Sequence, residues 1–304
     1  MGARNGRRKP KKRRSRKTLV YGVIVVAFVL AFFLAYSSLH SSSPKVAIVD
    51  HLSFFPEQRN QAFVNACINI LKERGLTWAY HKGEEVTVNF YRNLPSYGSS
   101  LIILRVHSAI MKTEKGPISI LGLFTSERYS AEAAKKYRED ILDDRLVKAF
   151  FTEGDEEYFG IVPKFVEESM KGEFKDTIII MMGCEGLGYE ELTYTDMAEA
   201  FVKKGAKVYI SWDGPVGINH TDKATVQLLQ SVILHKRTIK GAVTETMEIV
   251  GKDPTYNSTL QYYPKTPEAG NYTIPNLKSS LIMNVILTSP TPKAPTKTKS
   301  VARE

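Results

Sequence analysis

The stretch TIIIMMGCEGLGY, residues 177–189, is a short apolar run that breaks on a cysteine held between glycines. A run of this length, rich in isoleucine and bounded by turn residues, reads as a strand buried on both faces. An earlier run, SLIILRVHSA at 100–109, has the same form and ends near His107, and a later one, KVYISWD at 207–213, ends on Asp213. In open parallel sheets the binding crevice lies beyond the carboxyl ends of the strands. If these three strands are neighbours, Cys184, His107 and Asp213 converge on one crevice.

The surrounding pattern alternates strand with helix, which predicts a mainly parallel sheet covered on both faces. KVAIVD (45–50) is a strand, and the segment 56–75 reads as a helix with Pro56 in its first turn, Gly75 at its end and Phe63, Cys67, Ile70 and Leu71 on one face. LTWAYH is a second strand, EEVTVNFYRNL a short helix, and LIILRV a third strand. Residues from about 110 to 160 depart from the alternation. ISILGLFTS, VKAFFTE and EYFGIVP are short strands around a helix at Ala131–Leu142, an insertion in the form of a β-arm. Helices then follow at PKFVEESMKG, TDMAEAFVKKGA, about Thr221 to His235 and GAVTETMEIVG; a Tyr-rich loop leads to SSLIMNVIL, which reads as the last strand.

The ends of the chain carry a different signal. The net charge of +10 comes from residues 1–17, which hold ten basic groups and no acidic one; the remaining 32 basic groups balance 32 acidic ones. That distribution argues against a nucleic-acid-binding domain. The uncharged stretch from Thr18 to Pro44 is long enough to span a bilayer core. Basic residues ahead of one apolar span place the N-terminus in the cytoplasm and the rest outside. The expected organisation is a basic cytoplasmic segment (1–17) that also attracts anionic lipid, a signal anchor (18–39), an α/β domain (45–288) and a Pro, Thr and Lys-rich disordered tail (289–304). A cleaved signal peptide is the competing reading of the span. Asn219, Asn257 and Asn271 each begin an Asn-x-Ser/Thr tripeptide and are candidate glycosylation sites.

A cysteine and a histidine at adjacent strand ends supply what nucleophilic catalysis needs, a thiol and a base able to accept its proton. Gly183 and Gly186 let a substrate carbonyl approach the backbone, where successive amides can hold an oxyanion. With those residues in place, the chain resembles the caspase-haemoglobinase fold of the clan CD cysteine peptidases, a group that includes caspases, gingipains, separases and CHAT domains. The similarity is firmest over GCEGLGYEELTYTDMAEAFVKKGAKVYISWDGPVG, 183–217, where the cysteine loop is followed by a helix ending in Gly-Ala and a strand ending at a tryptophan.

The resemblance implies a three-layer sandwich and a peptidase with Cys184 as nucleophile and His107 as general base and acid. It implies an oxyanion site from the amide of Cys184 with that of Ser108 or Gly183. Asp213 would lie near the primary specificity pocket with Glu185 and Trp212 beside it, favouring a basic substrate residue. The substrate would be a peptide or protein, with no cofactor and no metal required. The alternative is a catalytically silent surface domain that binds a peptide or protein in the same crevice. Blander readings stand beside these: Cys67 is a small buried hydrophobe, and Trp212 also suits a packing role under the Asp213 loop. His51, His81, His220 and His235 form no spaced metal set.

Overall fold

The computed structural model describes residues 45–113, 116–151, 156–189 and 192–274. The expected membrane span at 18–39, the strand at SSLIMNVIL and the tail lie outside them. Among the described residues no helix is long and apolar enough to cross a membrane.

The fold is mixed α/β around a six-stranded, mainly parallel sheet. Its strands are β1 (Lys45–Asp50), β2 (Thr77–Lys82), β3 (Leu101–Arg105), β8 (Thr177–Met181), β9 (Ala206–Trp212) and β10 (Leu260–Tyr263), in the order β10-β9-β8-β3-β1-β2. Only the β10–β9 pair is antiparallel. The chain steps from β1 outward to β2 and returns past β1 to β3, so the sheet reverses its winding between β1 and β3. His107, Cys184 and Asp213 do follow three neighbouring strands, as β3 pairs with β8 and β8 with β9.

Side chains of the central strands alternate between two cores because both faces of the sheet are covered. From β3, Leu101 and Ile103 enter the core under α1 (Gln61–Glu73), α6 (Ile218–Leu229) and α7 (Ile239–Val250). Ile102 and Leu104 enter the opposite one, with α2 (Val88–Asn93), α5 (Asp196–Lys203) and the small sheet. Burying one such side chain contributes on the order of 1.5–3 kcal/mol, so these strands are held in register from both sides. Cys67 is fully buried on the α1 face, and both cysteines are free thiols.

The departure from alternation after residue 107 is a separate antiparallel sheet in the order β4-β5-β7-β6. It comprises β4 (Ser108–Thr113), β5 (Gly116–Arg128), β6 (Leu146–Phe150) and β7 (Glu157–Ile161), with α3 (Ala131–Lys136) and α4 (Arg138–Leu142) between β5 and β6. One of its faces completes the core through Leu121, Leu123, Phe159 and Ile161.

Four sequence expectations change, one of them the helix at Ala131–Leu142, which Tyr137 divides into α3 and α4. The first helix begins at Gln61 and not at Pro56, because Asn60 leaves helical geometry (φ −136°) and its side chain accepts from the amide of Phe63 at 3.0 Å. Pro56–Gln58 forms its own 3-10 turn. The segment PKFVEESMKG closes into a π-helical turn, Phe165–Ser169. The Tyr-rich loop supplies β10, whose alternation is masked by three half-buried edge residues.

Candidate functional site

Beyond β8 the chain turns sharply at Gly183–Gly186. Glu185 takes a left-handed backbone (φ 63°), a conformation a non-glycine residue holds only where the surroundings dictate it. They do so here. A Cβ on Gly183 would overlap the Ser108 hydroxyl and lie 2.7 Å from the Val106 carbonyl, and one on Gly186 would lie 2.6 Å from Ser211 Cβ. The Glu185 amide donates to Gly214 O at 2.9 Å, and its carboxylate accepts from the amide of Ile110 at 2.8 Å. The turn is thus clasped between β4 (Ser108–Thr113) and the loop that follows β9.

Cys184 is half-buried at the apex of this turn. Its thiol donates to Val216 O at 3.7 Å, and the Val216 amide donates to the sulfur at 3.5 Å. Burial raises the thiol pKa, the charges of Glu185 and Asp253 add to the rise, and the Val216 bond opposes it. The free protein therefore holds Cys184 as a thiol. Asp253 anchors this side, its carboxylate accepting from the amides of Gly217 (2.8 Å), Thr255 and Tyr256 (both 2.9 Å).

His107 sits among aromatic rings. Ring centroids of Phe151, Phe55, His51 and Phe124 lie 4.9, 5.7, 5.9 and 6.0 Å away. Its polar partner is Gln58, with Nε2 and Oε1 2.7 Å apart. Burial, with the Arg105 charge second, depresses the His107 pKa to about 4, so the resting imidazole is neutral and a weaker base than a free histidine. His51 is more deeply buried and falls to about 3, its Nδ1 accepting from the His107 amide at 3.5 Å.

Beneath the histidines lies a network the sequence reading missed. Arg105, fully buried, donates to Asp50 Oδ1 at 2.9 Å and to both oxygens of Asp222 at 2.7 and 2.9 Å. The Nη2 that reaches Asp222 also donates to Gln58 O at 3.0 Å. Asn60 and Tyr80 complete the acceptors of Asp222 and Asp50. A sequence signal existed: an arginine closing the buried run LIILR needs a carboxylate partner, and KVAIVD places one at the end of the neighbouring strand.

Ser108 joins the two halves, its hydroxyl donating to the carbonyl of Cys184 at 2.6 Å. Among the described residues no hydrogen bond links the Cys184 thiol to the His107 ring; each has another partner. The Gly183 amide donates to Met181 Sδ at 3.0 Å and so faces the interior of the turn. One Asp213 oxygen accepts from the amide of Thr259 at 2.6 Å. Trp212 is buried under the loop and donates to Thr221 Oγ1 at 2.9 Å, a packing position and not a surface platform. Asn219, Asn257 and Asn271 are all exposed. No group of three or more metal-ligating side chains occurs among the described residues.

A groove of about 240 Å³ opens on the outer face of the small sheet, lined by Ile110, Met111, Phe124, Val147 and Phe150 among others. It borders the site, because the Phe124 amide donates to the His107 carbonyl at 3.0 Å. No family model matches the chain, and no curated protein matches it.

Proposed function

We propose that this chain is a cysteine endopeptidase of the caspase-haemoglobinase type, anchored in a membrane by residues 18–39 with the α/β domain outside the cytoplasm. The observation that carries the reading is the strained Gly183–Gly186 turn, which presents Cys184 at the end of a strand adjacent to the one that presents His107. The apolar groove beside His107 suits an extended peptide, and the exposed sequons agree with an extracytoplasmic location.

In this reading the resting thiol leaves Val216 when substrate enters. His107 takes the thiol proton, and the sulfur forms a bond to the peptide carbonyl carbon. Collapse of the tetrahedral adduct breaks the C–N bond, and His107 returns the proton to the leaving amine. Water then hydrolyses the thioester. The Cys184 amide, with that of Ser108, supports the oxyanion. Asp213 keeps one carboxylate oxygen for a basic substrate side chain, in competition with Lys265, whose pKa burial lowers while the Asp213 charge opposes that fall. In resting geometry catalytic hydrogen bonds are often unformed and tighten only with substrate bound.

The silent binding domain is the second reading, and the separate partners of Cys184 and His107 favour it. Incubation of the full chain with a defined peptide mixture, with products identified by mass spectrometry, separates the two. Cleavage lost in both Cys184→Ala and His107→Ala supports the peptidase. Intact peptides that still bind leave the silent domain.

A further inference from the structure

We infer that Gln58 is the positioning residue of His107: its side-chain carbonyl holds the imidazole proton on Nε2 and leaves Nδ1 as the nitrogen that receives a proton. The inference rests on the reading of His107 as a base, but its geometry is independent of any activity. A neutral imidazole has one donor and one acceptor nitrogen, and the hydrogen bond made by one fixes the role of the other. Gln58 Oε1, 2.7 Å from Nε2, can only accept. Phe55, Phe124 and Phe151 around the ring offer no polar atom, and the neighbouring His51 spends its Nδ1 on the His107 amide while its Nε2 makes no hydrogen bond among the described residues. Among the described residues Nδ1 of His107 has no hydrogen-bond partner.

Gln58 is itself held rigidly. It closes the Pro56–Gln58 turn through its amide, which donates to Phe55 O at 3.0 Å, and its carbonyl accepts from Arg105 Nη2 at 3.0 Å. Arg105 is fixed in turn by Asp50 and Asp222. The chain of contacts from α6 through β3 to the 3-10 turn thereby aims one nitrogen of His107. An amide is suited to this task because it orients the ring without adding a negative charge that would favour the imidazolium; a carboxylate would do both. The turn at 56–58, which reads as the start of a helix in the sequence, exists as a separate element that carries Gln58 to the ring.

The test is 15N NMR of the full chain in detergent, selectively labelled at histidine, with His107 assigned by comparison with His107→Gln. Spectra are taken at about pH 8, above the ordinary histidine range. The wild type should show a protonated-type shift at Nε2 and an unprotonated-type shift at Nδ1. Gln58→Met, similar in shape but without the acceptor, should lose that pattern and show mixed tautomers, whereas Gln58→Glu, which keeps an acceptor, should retain the proton on Nε2. A wild-type proton on Nδ1, or an unchanged tautomer in Gln58→Met, overturns the inference. Failure of the peptidase reading is read separately, as His107-independent chemistry at Cys184 with the tautomer result intact.

Discussion

The Ser108 hydroxyl donates to the main-chain carbonyl of Cys184 at 2.6 Å across 76 positions of sequence. With the bond from the Ile110 amide to the Glu185 carboxylate, it ties the segment that carries the histidine to the turn that carries the cysteine. Ser108→Ala removes it and leaves the carbonyl short of a partner. The expected loss is about 1 kcal/mol, read as a lower urea midpoint with an unchanged slope.

Gly186 has no room for a side chain. An added Cβ would overlap the Ser211 hydroxyl and crowd Ser211 Cβ at 2.6 Å. Gly186→Ala should therefore destabilise the domain by roughly 1–3 kcal/mol, whereas Gly98→Ala adds a Cβ with no neighbour within 4 Å and meets only backbone strain at φ 63°. Parallel thermal melts should show that a clash, and not the loss of glycine as such, sets the cost at Gly186.

Arg105 balances two buried carboxylates, and Arg105→Met would leave both Asp50 and Asp222 uncompensated. A loss of about 3–5 kcal/mol is expected for breaking such a cluster at one member. Adding Asp50→Asn and Asp222→Asn to that variant should recover part of the loss. Full additivity of the three changes in urea unfolding would contradict the coupling.

Acid should weaken the fold through its buried histidines. His51 and His107 stay neutral in the folded chain down to about 3 and about 4, whereas in the unfolded chain they take up protons near 6.5. Between those values the unfolded state binds more protons, so stability falls as pH drops from about 6.5 toward 4. Urea midpoints at intervals from neutral pH to about 4.5 should trace that decline, and His51→Phe should flatten it. A flat wild-type profile over this window would show that the buried histidines are not held neutral.

The central sheet was legible because β1, β3, β8 and β9 are buried on both faces and each is bounded by turn residues. So was the placement of His107, Cys184 and Asp213 after three neighbouring strands, which follows from where those strands end. The small sheet was foreseen as short strands but not in its pairing, since antiparallel order depends on contacts remote in sequence. The roles of Gln58, Ser108 and Asp253 were not legible: each depends on a hydrogen bond to a segment tens of residues away, and no local periodicity marks it. Trp212 shows the converse, a residue whose type suggests ligand contact but whose indole NH is spent on Thr221 in the core.

The central claim is that His107 activates Cys184 only when substrate enters, and covalent capture tests it most directly. The full chain bearing Cys67→Ser is treated at neutral pH with iodoacetamide and, separately, with a peptidyl acyloxymethyl ketone carrying lysine next to the reactive group, with labelling of Cys184 followed by mass spectrometry. The account predicts slow alkylation by the small reagent, because the resting thiol is protonated. It predicts rapid capture by the peptidyl ketone that falls by on the order of a hundredfold or more in His107→Ala. Equally slow labelling by both reagents, or capture indifferent to His107→Ala, would contradict it.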